Sequence, residues 1–251
     1  MPGDMPSVMI ATPMYGGLCS APYVHGLLQT VASMHARGLA LYWHQLSNES
    51  LITRARNELA RLFLATDYSH LMFIDADMVF DGEAVPTLLA ADVDIVCGIA
   101  PKKEIDWPRI ERAAAAGQTG LQDFGGSFVF NLLDEADARP DARGLIEVRH
   151  GGTGFMMINR RVFEVLAEQV PQYRTSTMRD AASGDYLRPL THEFFATSID
   201  ETGALLSEDY HFCALWRRQG GRVHAQPFIK LGHVGSHLFS GDLIKAGGNI
   251  K

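Results

Sequence analysis

Cysteine is scarce in this sequence, and positive charge is not in excess. The three cysteines, Cys19, Cys97 and Cys213, lie far apart, so neither a disulfide framework nor a thiolate zinc site is expected. The 251 residues carry a net charge of -7, which argues against a broad nucleic-acid-binding surface. Such cysteine usage is typical of a reducing compartment, and the cytoplasm is the predicted location.

Long apolar runs are missing too. No stretch approaches the roughly 20 apolar residues that span a bilayer, and no signal-peptide pattern is found, so we expect no membrane span. What the chain does have is the composition of an ordinary globular domain. It is 47% hydrophobic and 20% charged, which is enough to bury a sizeable core.

Short β-rich apolar segments alternate with helix-like segments over the first hundred residues. The predicted strands are residues 7–12, 39–46, 70–75 and 93–100, and the predicted helices are 22–38, 49–66 and 82–91. This alternation predicts an α/β fold whose mostly parallel central sheet is flanked by helices on both faces.

The second half of the chain is less regular. Residues 101–149 and 173–184 are expected to form loops and an excursion. Residues 151–169 read as a glycine turn, a strand and a helix. Residues 207–221 predict a helix that Ser207 caps and Gly220 ends, and residues 222–239 are expected to be extended.

The segment HLMFIDADMVFDG, residues 70–82, ends a buried strand in Asp75 and Asp77. Side chains i and i+2 of a strand point to the same side, so both carboxylates converge at the sheet edge where open α/β folds bind ligands. Hard divalent ions such as Mn²⁺ or Mg²⁺ prefer such oxygen ligands. The alternative is structural, with the aspartates ending the strand and capping the helix near Gly82.

Two chemistries use an apolar strand that ends in this way. Residues 75–79, DADMV, resemble the DxDx(T/V) motif of haloacid dehalogenase-type phosphatases, in which the first aspartate is a nucleophile. That family also needs a later pair of acids, but Asp242 is followed by no second acid up to Ala246. The other chemistry is sugar transfer from a nucleotide diphosphate.

Several segments, in the required order, resemble a GT-A fold glycosyltransferase of the broad family 2-like group. They are IATPMYGG (10–17), ESLITRARNELA (49–60), FIDADM (73–78), GGTGFMMINRRVFE (151–164) and LLSEDYHFCALWRRQGGRV (205–223). The resemblance implies one Rossmann-like domain over residues 1–251, with a nucleotide-binding half at 1–100 and an acceptor-binding half at 101–251. Residues 101–149, around Trp107, and 173–197 match poorly, and we expect these loops to choose the acceptor.

On the nucleotide side, Arg54 and Asn57 lie three residues apart on one helical face. The resemblance implies a nucleotide role, for Arg54 above all, whereas the alternative is a surface pair of Arg54 with Glu58. Thr12 and Pro13 end the first strand at the same sheet edge, where backbone groups can read the base. Pro13 alternatively only stops the strand.

The resemblance implies that Asp75 and Asp77, with Ala76 between them, hold the metal together with His233. The alternative for His233 is an ordinary hydrogen-bonding loop histidine. The other expected ligand contacts are diphosphate partners and a glycine wall beside the sugar, where glycine lets the backbone approach closely. They are Lys230, Ser236 and His237 for the diphosphate, Gly152, Thr153 and Gly154 for the wall, and Lys102 and Lys103 for phosphate or solvent.

Glu208 and Asp209 follow Ser207 at a helix start, where acids also complement the helix dipole without any catalytic purpose. Inverting sugar transfer needs a carboxylate to deprotonate the acceptor hydroxyl. By resemblance to the xED motif, Asp209 is the candidate base and Glu208 contacts the donor sugar or the acceptor, with the two roles exchangeable. A retaining reaction stays open.

Together these features predict a metal-dependent glycosyltransferase that uses Mn²⁺ or Mg²⁺ and a nucleotide-diphosphate sugar, UDP- or GDP-linked first of all. The acceptor is a glycan, a lipid-linked saccharide, a protein or a modified nucleobase. Two other classes remain open, namely the phosphatase and a non-catalytic sugar-nucleotide binding module.

Overall fold

The computed structural model describes residues 5–128, 130–133, 139–175, 178–179 and 186–247. Within these ranges the helices are α1 (Ala21–Ala36), α2 (Ile52–Leu64), α3 (Ala84–Ala90), α4 (Trp107–Ala115), α5 (Arg160–Ala167), α6 (Glu208–Arg218) and α7 (Leu243–Gly247). The strands are β1 (Ser7–Met14), β2 (Ala40–Ser47), β3 (His70–Ile74), β4 (Met78–Val79), β5 (Ile95–Gly98), β6 (Pro101–Ile105), β7 (Gly126–Phe128), β8 (Phe130–Leu132), β9 (Ile146–Gly151), β10 (Phe155–Asn159), β11 (Gln172–Arg174), β12 (Met178–Arg179), β13 (Tyr186–Leu187), β14 (Leu190–His192), β15 (Ser198–Ile199), β16 (Leu205–Leu206), β17 (Val223–Gln226), β18 (Gly232–Val234) and β19 (Leu238–Phe239).

An eight-stranded sheet with the order β2-β1-β3-β10-β5-β17-β9-β8 forms the centre of the molecule. β1 pairs in parallel with β2 and β3, and β17 pairs in parallel with β5. β10 lies antiparallel between β3 and β5, and β9 is antiparallel to β17. The predicted mostly parallel α/β sheet is therefore confirmed, and it combines strands from both halves of the chain.

β3 is buried on both faces of this sheet. Leu71 and Phe73 pack into a cluster with residues of α2, α5 and α6, whereas Met72 and Ile74 pack with residues of α1 and α3. Helices thus cover both faces, which is why the strand reads as an unbroken apolar run. β3 ends at Ile74, so Asp75 lies at the edge of the sheet.

The expectation that Pro13 stops the first strand is wrong, because β1 continues to Met14. β3 pairs with β1 only as far as Ala11, while β2 continues alongside, with Leu46 opposite Pro13. A proline lacks one hydrogen-bond donor, and it is tolerated where a strand has a partner on one side only.

The prediction of loops over residues 101–149 is wrong in part, because α4 and the strands β6, β7, β8 and most of β9 form there. The Asp106 side chain accepts a hydrogen bond from Arg109 N, and Pro108 lies in the first turn, so the helix has a regular N-terminus. The loop predicted at 173–184 lies partly outside the described residues.

No helix in the described ranges is both long and apolar enough to cross a membrane.

Candidate active site

Residues 75–77 form a tight turn between β3 and β4, and backbone hydrogen bonds fix it. Asp75 N donates to Gly154 O at 2.9 Å, and Val234 N donates to Asp77 O at 2.8 Å. The turn is therefore tied both to the glycine segment before β10 and to β18. Neither aspartate is left on a free loop.

Arg56 on α2 binds the first aspartate. Its Nη2 lies 3.1 and 3.4 Å from the two carboxylate oxygens of Asp75, and its Nε lies 3.3 Å from Glu208 Oε1. The Arg56 side chain is only 3% exposed. Burial by itself lowers the pKa of Arg56, but Asp75 and Glu208 raise it above the usual value, so the guanidinium stays charged.

Lys103 and His233 bind the second aspartate. Lys103 Nζ lies 2.5 Å from Asp77 Oδ2, and His233 Nε2 lies 3.2 Å from Asp77 Oδ1. Although burial raises the pKa of Asp77, the hydrogen bonds from His233 and Lys103 outweigh it and lower this pKa to about 2. The second carboxylate is thus ionised and held by two basic side chains.

The two acids at the start of α6 have different surroundings. Glu208 lines a cleft together with Asp75 and Asp77. Asp209 Oδ1 instead accepts hydrogen bonds from Ser207 Oγ and, at 2.9 Å, from Tyr210 N. Of the two candidate catalytic acids, Glu208 therefore lines the cleft, whereas Asp209 does not and is hydrogen-bonded at the helix start.

The cleft has a volume of about 840 Å³ and opens at the carboxyl end of β3. Its walls come from the segment after β1, the start of α2, the aspartate turn, α6 and β18. The lining residues are Pro13, Tyr15, Leu18, Cys19, Ser20, Glu49, Ser50, Ile52, Arg56, Asp75, Ala76, Asp77, Glu208, Val234 and Gly235. Four carboxylates and one guanidinium make this lining acidic.

Arg56 is a site residue that the sequence analysis missed in favour of Arg54. Arg54 Nε and Nη2 each lie 2.6 Å from an oxygen of Glu49, and Arg54 does not line the cleft. The buried Asn57 donates to Phe195 O at 3.1 Å and accepts from Phe195 N at 2.8 Å. These positions do not support a direct ligand contact for Arg54 or Asn57.

Of the two residues expected to contact the base at the end of β1, Pro13 lines the cleft and Thr12 does not. Thr12 is fully buried, and its Oγ1 lies 2.5 Å from Tyr23 Oη and 3.2 Å from Trp43 Nε1. Pro13 does line the cleft, as does Tyr15, which is 74% exposed and which the sequence analysis did not single out. The position of Tyr15 directly after a strand that ends at this edge could have identified it as a site residue.

The glycine segment lies against the first aspartate. A Cβ added to Gly154 would lie 3.1 Å from Asp75 Oδ2, so a larger residue here would fit only if that carboxylate shifted slightly. Thr153 is buried, and its Oγ1 has no hydrogen-bond partner among the described residues. Gly152 is half-buried and does not line the cleft, so this segment supports Asp75 from behind.

Three of the expected diphosphate partners lie outside the cleft. Lys230 is paired with Asp242 at 3.2 Å. Ser236 is exposed, and His237 lines a separate small pocket that also contains Trp107. Lys103 is the lysine that reaches the aspartate turn.

The expected metal ligands are brought together only in part. No group of three or more His, Cys, Asp and Glu side chains in the described ranges is arranged to hold a metal ion. Asp77 and His233 do fit one, because His233 Nδ1 lies 3.1 Å from the carbonyl of Pro101 and must donate to it. That hydrogen bond leaves Nε2 facing a carboxylate, where a proton or a metal ion has to lie between them. Asp75 is held by Arg56 instead.

No model of a known protein family matches the chain, and no curated protein matches it in sequence. Among solved structures, A197 from STIV is similar over 94% of both chains, with a TM-score of 0.50 and 17% identity. A glycosyltransferase involved in the glycosylation of the major capsid of PBCV-1 matches 64% of this chain and 63% of its own, with a TM-score of 0.32 and 8% identity. The inositol-1-phosphate CTP transferase from T. maritima matches 89% of this chain and 86% of its own, with a TM-score of 0.40 and 10% identity.

The fold is therefore GT-A-like, as the sequence resemblance implied. The similarity to A197 covers nearly the whole of both chains, and it concerns the fold alone. The weaker neighbours include a glycosyltransferase and a nucleotidyltransferase.

Proposed function

We propose that the protein is a glycosyltransferase that takes a sugar from a nucleotide-diphosphate sugar and passes it to an acceptor hydroxyl. The observation that carries the proposal is the single cleft in which Asp75, Asp77 and Glu208 meet at the carboxyl end of the central sheet. Ligands of open α/β folds bind at this edge. A volume of about 840 Å³ lies within the range of small-molecule and cofactor sites.

The nucleotide is proposed to bind between Tyr15 and the aspartate turn. An exposed aromatic ring at the mouth of a polar cleft offers a base a flat surface for stacking. The diphosphate would then lie near Asp77, where Lys103 Nζ supplies a positive charge and the His233 ring lies beside the same carboxylate. Pro13 also lines the cleft.

The reaction joins an acceptor oxygen to the anomeric carbon and breaks the bond from that carbon to the diphosphate. The diphosphate leaves with the bonding electrons, and a carboxylate takes the proton of the acceptor hydroxyl. Glu208 lines the cleft and Asp209 does not, which favours Glu208 for the acceptor side despite the sequence expectation for Asp209. Attack from the face opposite the diphosphate would invert the anomeric centre.

Metal dependence belongs to this proposal as a prediction from the aspartate spacing. Asp77 and His233 are the residues that would hold Mn²⁺ or Mg²⁺, and the ion would neutralise charge on the departing diphosphate. Four carboxylates line the cleft against one guanidinium, so a metal ion would offset negative charge that a bound diphosphate would otherwise meet there. For Asp77 Oδ2 to bind the ion, Lys103 would have to release it.

The test is release of nucleoside diphosphate from a panel of nucleotide sugars, with pooled glycan, lipid-linked and protein acceptors and with added Mn²⁺. Release that needs an acceptor and disappears in Asp77→Ala supports the transferase, and the anomeric configuration of the product decides inversion. Binding of a nucleotide sugar without any release supports a binding module. Hydrolysis of simple phosphomonoesters supports the phosphatase and contradicts the proposal.

A further inference from the structure

Arg56 joins three elements that lie far apart in the sequence. It comes from α2, and its guanidinium contacts Asp75, at the end of β3, and Glu208, at the start of α6. Glu208 is 152 positions away along the chain. One buried side chain therefore connects cleft residues from both halves of the chain.

The Arg56 guanidinium is held in place from several directions. Its Cζ lies 5.2 Å from the ring centroid of Phe73, so an aromatic face supports it from within the core. Its two ion pairs, at 3.1 Å to Asp75 and 3.3 Å to Glu208, use Nη2 and Nε. Little freedom is left to the guanidinium, and its position in turn restricts both carboxylates.

The buried ion pairs of Arg56 contribute little to the free energy of folding. A buried ion pair is seldom better for stability than packed apolar side chains of the same volume. Moreover, the buried Nη1 of Arg56 has no hydrogen-bond partner among the described residues. Such an unpaired buried donor adds a further cost. Costs of this kind concentrate at functional sites.

We infer that Arg56 is a positioning residue that sets the distance and orientation between the carboxylates of Asp75 and Glu208. This role rests on the proposed function, because it matters only if both carboxylates act on one bound substrate. Without the guanidinium, two like charges face each other across the cleft and Glu208 turns toward solvent. Arg56 acts through its two partners and is not required to touch the substrate.

The test compares Arg56→Met with Arg61→Met, a control on the same helix. Arg61 also binds a buried carboxylate, that of Glu58, at 2.6 Å, but it does not line the cleft. We expect both variants to fold with lower melting temperatures. Only Arg56→Met should lose about 100-fold in kcat, because a misplacement near 1 Å has this effect, while KM for the nucleotide sugar changes by only about two- to threefold.

Two further variants keep the inference falsifiable if Arg56→Met folds poorly. Arg56→Lys retains the charge but not the two-pronged geometry, so it should fold and still lose most of kcat. In Arg56→Ala, added guanidinium ion below denaturing concentration should restore part of kcat, which a purely structural role does not predict. Equal losses of kcat in the Arg61 and Arg56 variants, or full activity of a folded Arg56→Met, would overturn the inference.

The inference and the proposed function fail in different ways. If the wild-type protein turns over no nucleotide sugar, the proposed function fails, and a crystal structure of Arg56→Met still tests the positioning. The Asp75 and Glu208 carboxylates should then lie farther apart than in the wild type. An unchanged separation would overturn the positioning role whatever the substrate.

Discussion

Lys103 Nζ lies 2.5 Å from Asp77 Oδ2, so the second aspartate of the turn already has a cation beside it. Any metal ion that Asp77 binds must compete with this ammonium group. We therefore predict that Lys103→Met raises the affinity of the ligand-free protein for Mn²⁺. The expected gain is about two- to fivefold, because both groups are partly exposed and water screens the pair.

The control for that prediction is the neighbouring Lys102→Met. Lys102 is 52% exposed, and its Nζ lies 3.8 Å from Glu104 Oε1. Removing its charge should leave Mn²⁺ affinity unchanged. Isothermal titration of both variants with Mn²⁺ decides the matter, and equal affinities in the two variants would contradict competition at Asp77.

Gly154→Ala tests the glycine wall behind the first aspartate. The added Cβ would lie 3.1 Å from Asp75 Oδ2, which forces that carboxylate to shift by a few tenths of an ångström. We expect a folded protein whose turnover falls by about tenfold. Steady-state kinetics beside a melting curve checks this, and unchanged turnover would show that the position of Asp75 is not critical.

Gly151→Ala, in contrast to Gly154→Ala, should mainly lower the stability of the protein. Its Cβ would lie only 2.4 Å from Cys97 Sγ inside the core, and such overpacking costs about 1–3 kcal/mol. Adding Cys97→Ala removes the clashing sulfur and should recover most of the free energy of unfolding. Chemical denaturation of the two variants measures this, and no recovery would mean that the strain lies in the backbone.

Tyr15→Ala tests the proposed base-stacking surface. Losing an aromatic platform should weaken nucleotide binding by about tenfold. Tyr15→Phe keeps the ring and should bind as the wild type does. Because Tyr15 is 74% exposed, neither change should move the melting temperature by much. A similar loss of affinity in both variants would point to the hydroxyl group rather than to stacking.

The two acids at the start of α6 can be separated by Glu208→Gln and Asp209→Asn. Since Glu208 faces the cleft, we expect Glu208→Gln to reduce turnover by about 100-fold or more. Asp209→Asn should have the smaller effect on turnover and the larger effect on melting temperature, because Asp209 binds the helix start. The reverse ranking would return the base role to Asp209, as the sequence motif indicates.

The strands and helices of the first hundred residues could be predicted from the sequence pattern. β3 is clear as an unbroken apolar run, and α2 as a helical repeat of apolar residues. The antiparallel insertion of β10 between β3 and β5 could not be found in this way. Strand order depends on contacts between distant segments, and an apolar run looks the same in either direction.

The sequence analysis named Arg54 as the arginine of the site, whereas the arginine that lines the cleft is Arg56. Arg56 continues the buried spacing of Leu59, Ala60 and Phe63, at i, i+3, i+4 and i+7, and this spacing was a usable signal. An arginine on such a face is normally taken as solvated, because burying its charge alone is costly. The compensating Glu208 lies far along the chain, so the sequence alone could not reveal it.

The central claim is that the cleft binds a nucleotide sugar, and calorimetric binding tests it most directly. UDP-, GDP-, ADP- and dTDP-sugars are titrated into the wild type and into Asp77→Ala, each with Mn²⁺ and with chelator. The account predicts that one nucleotide binds the wild type, more tightly with Mn²⁺, and that Asp77→Ala loses this gain. If the folded wild-type protein binds none of them under either condition, the claim is contradicted.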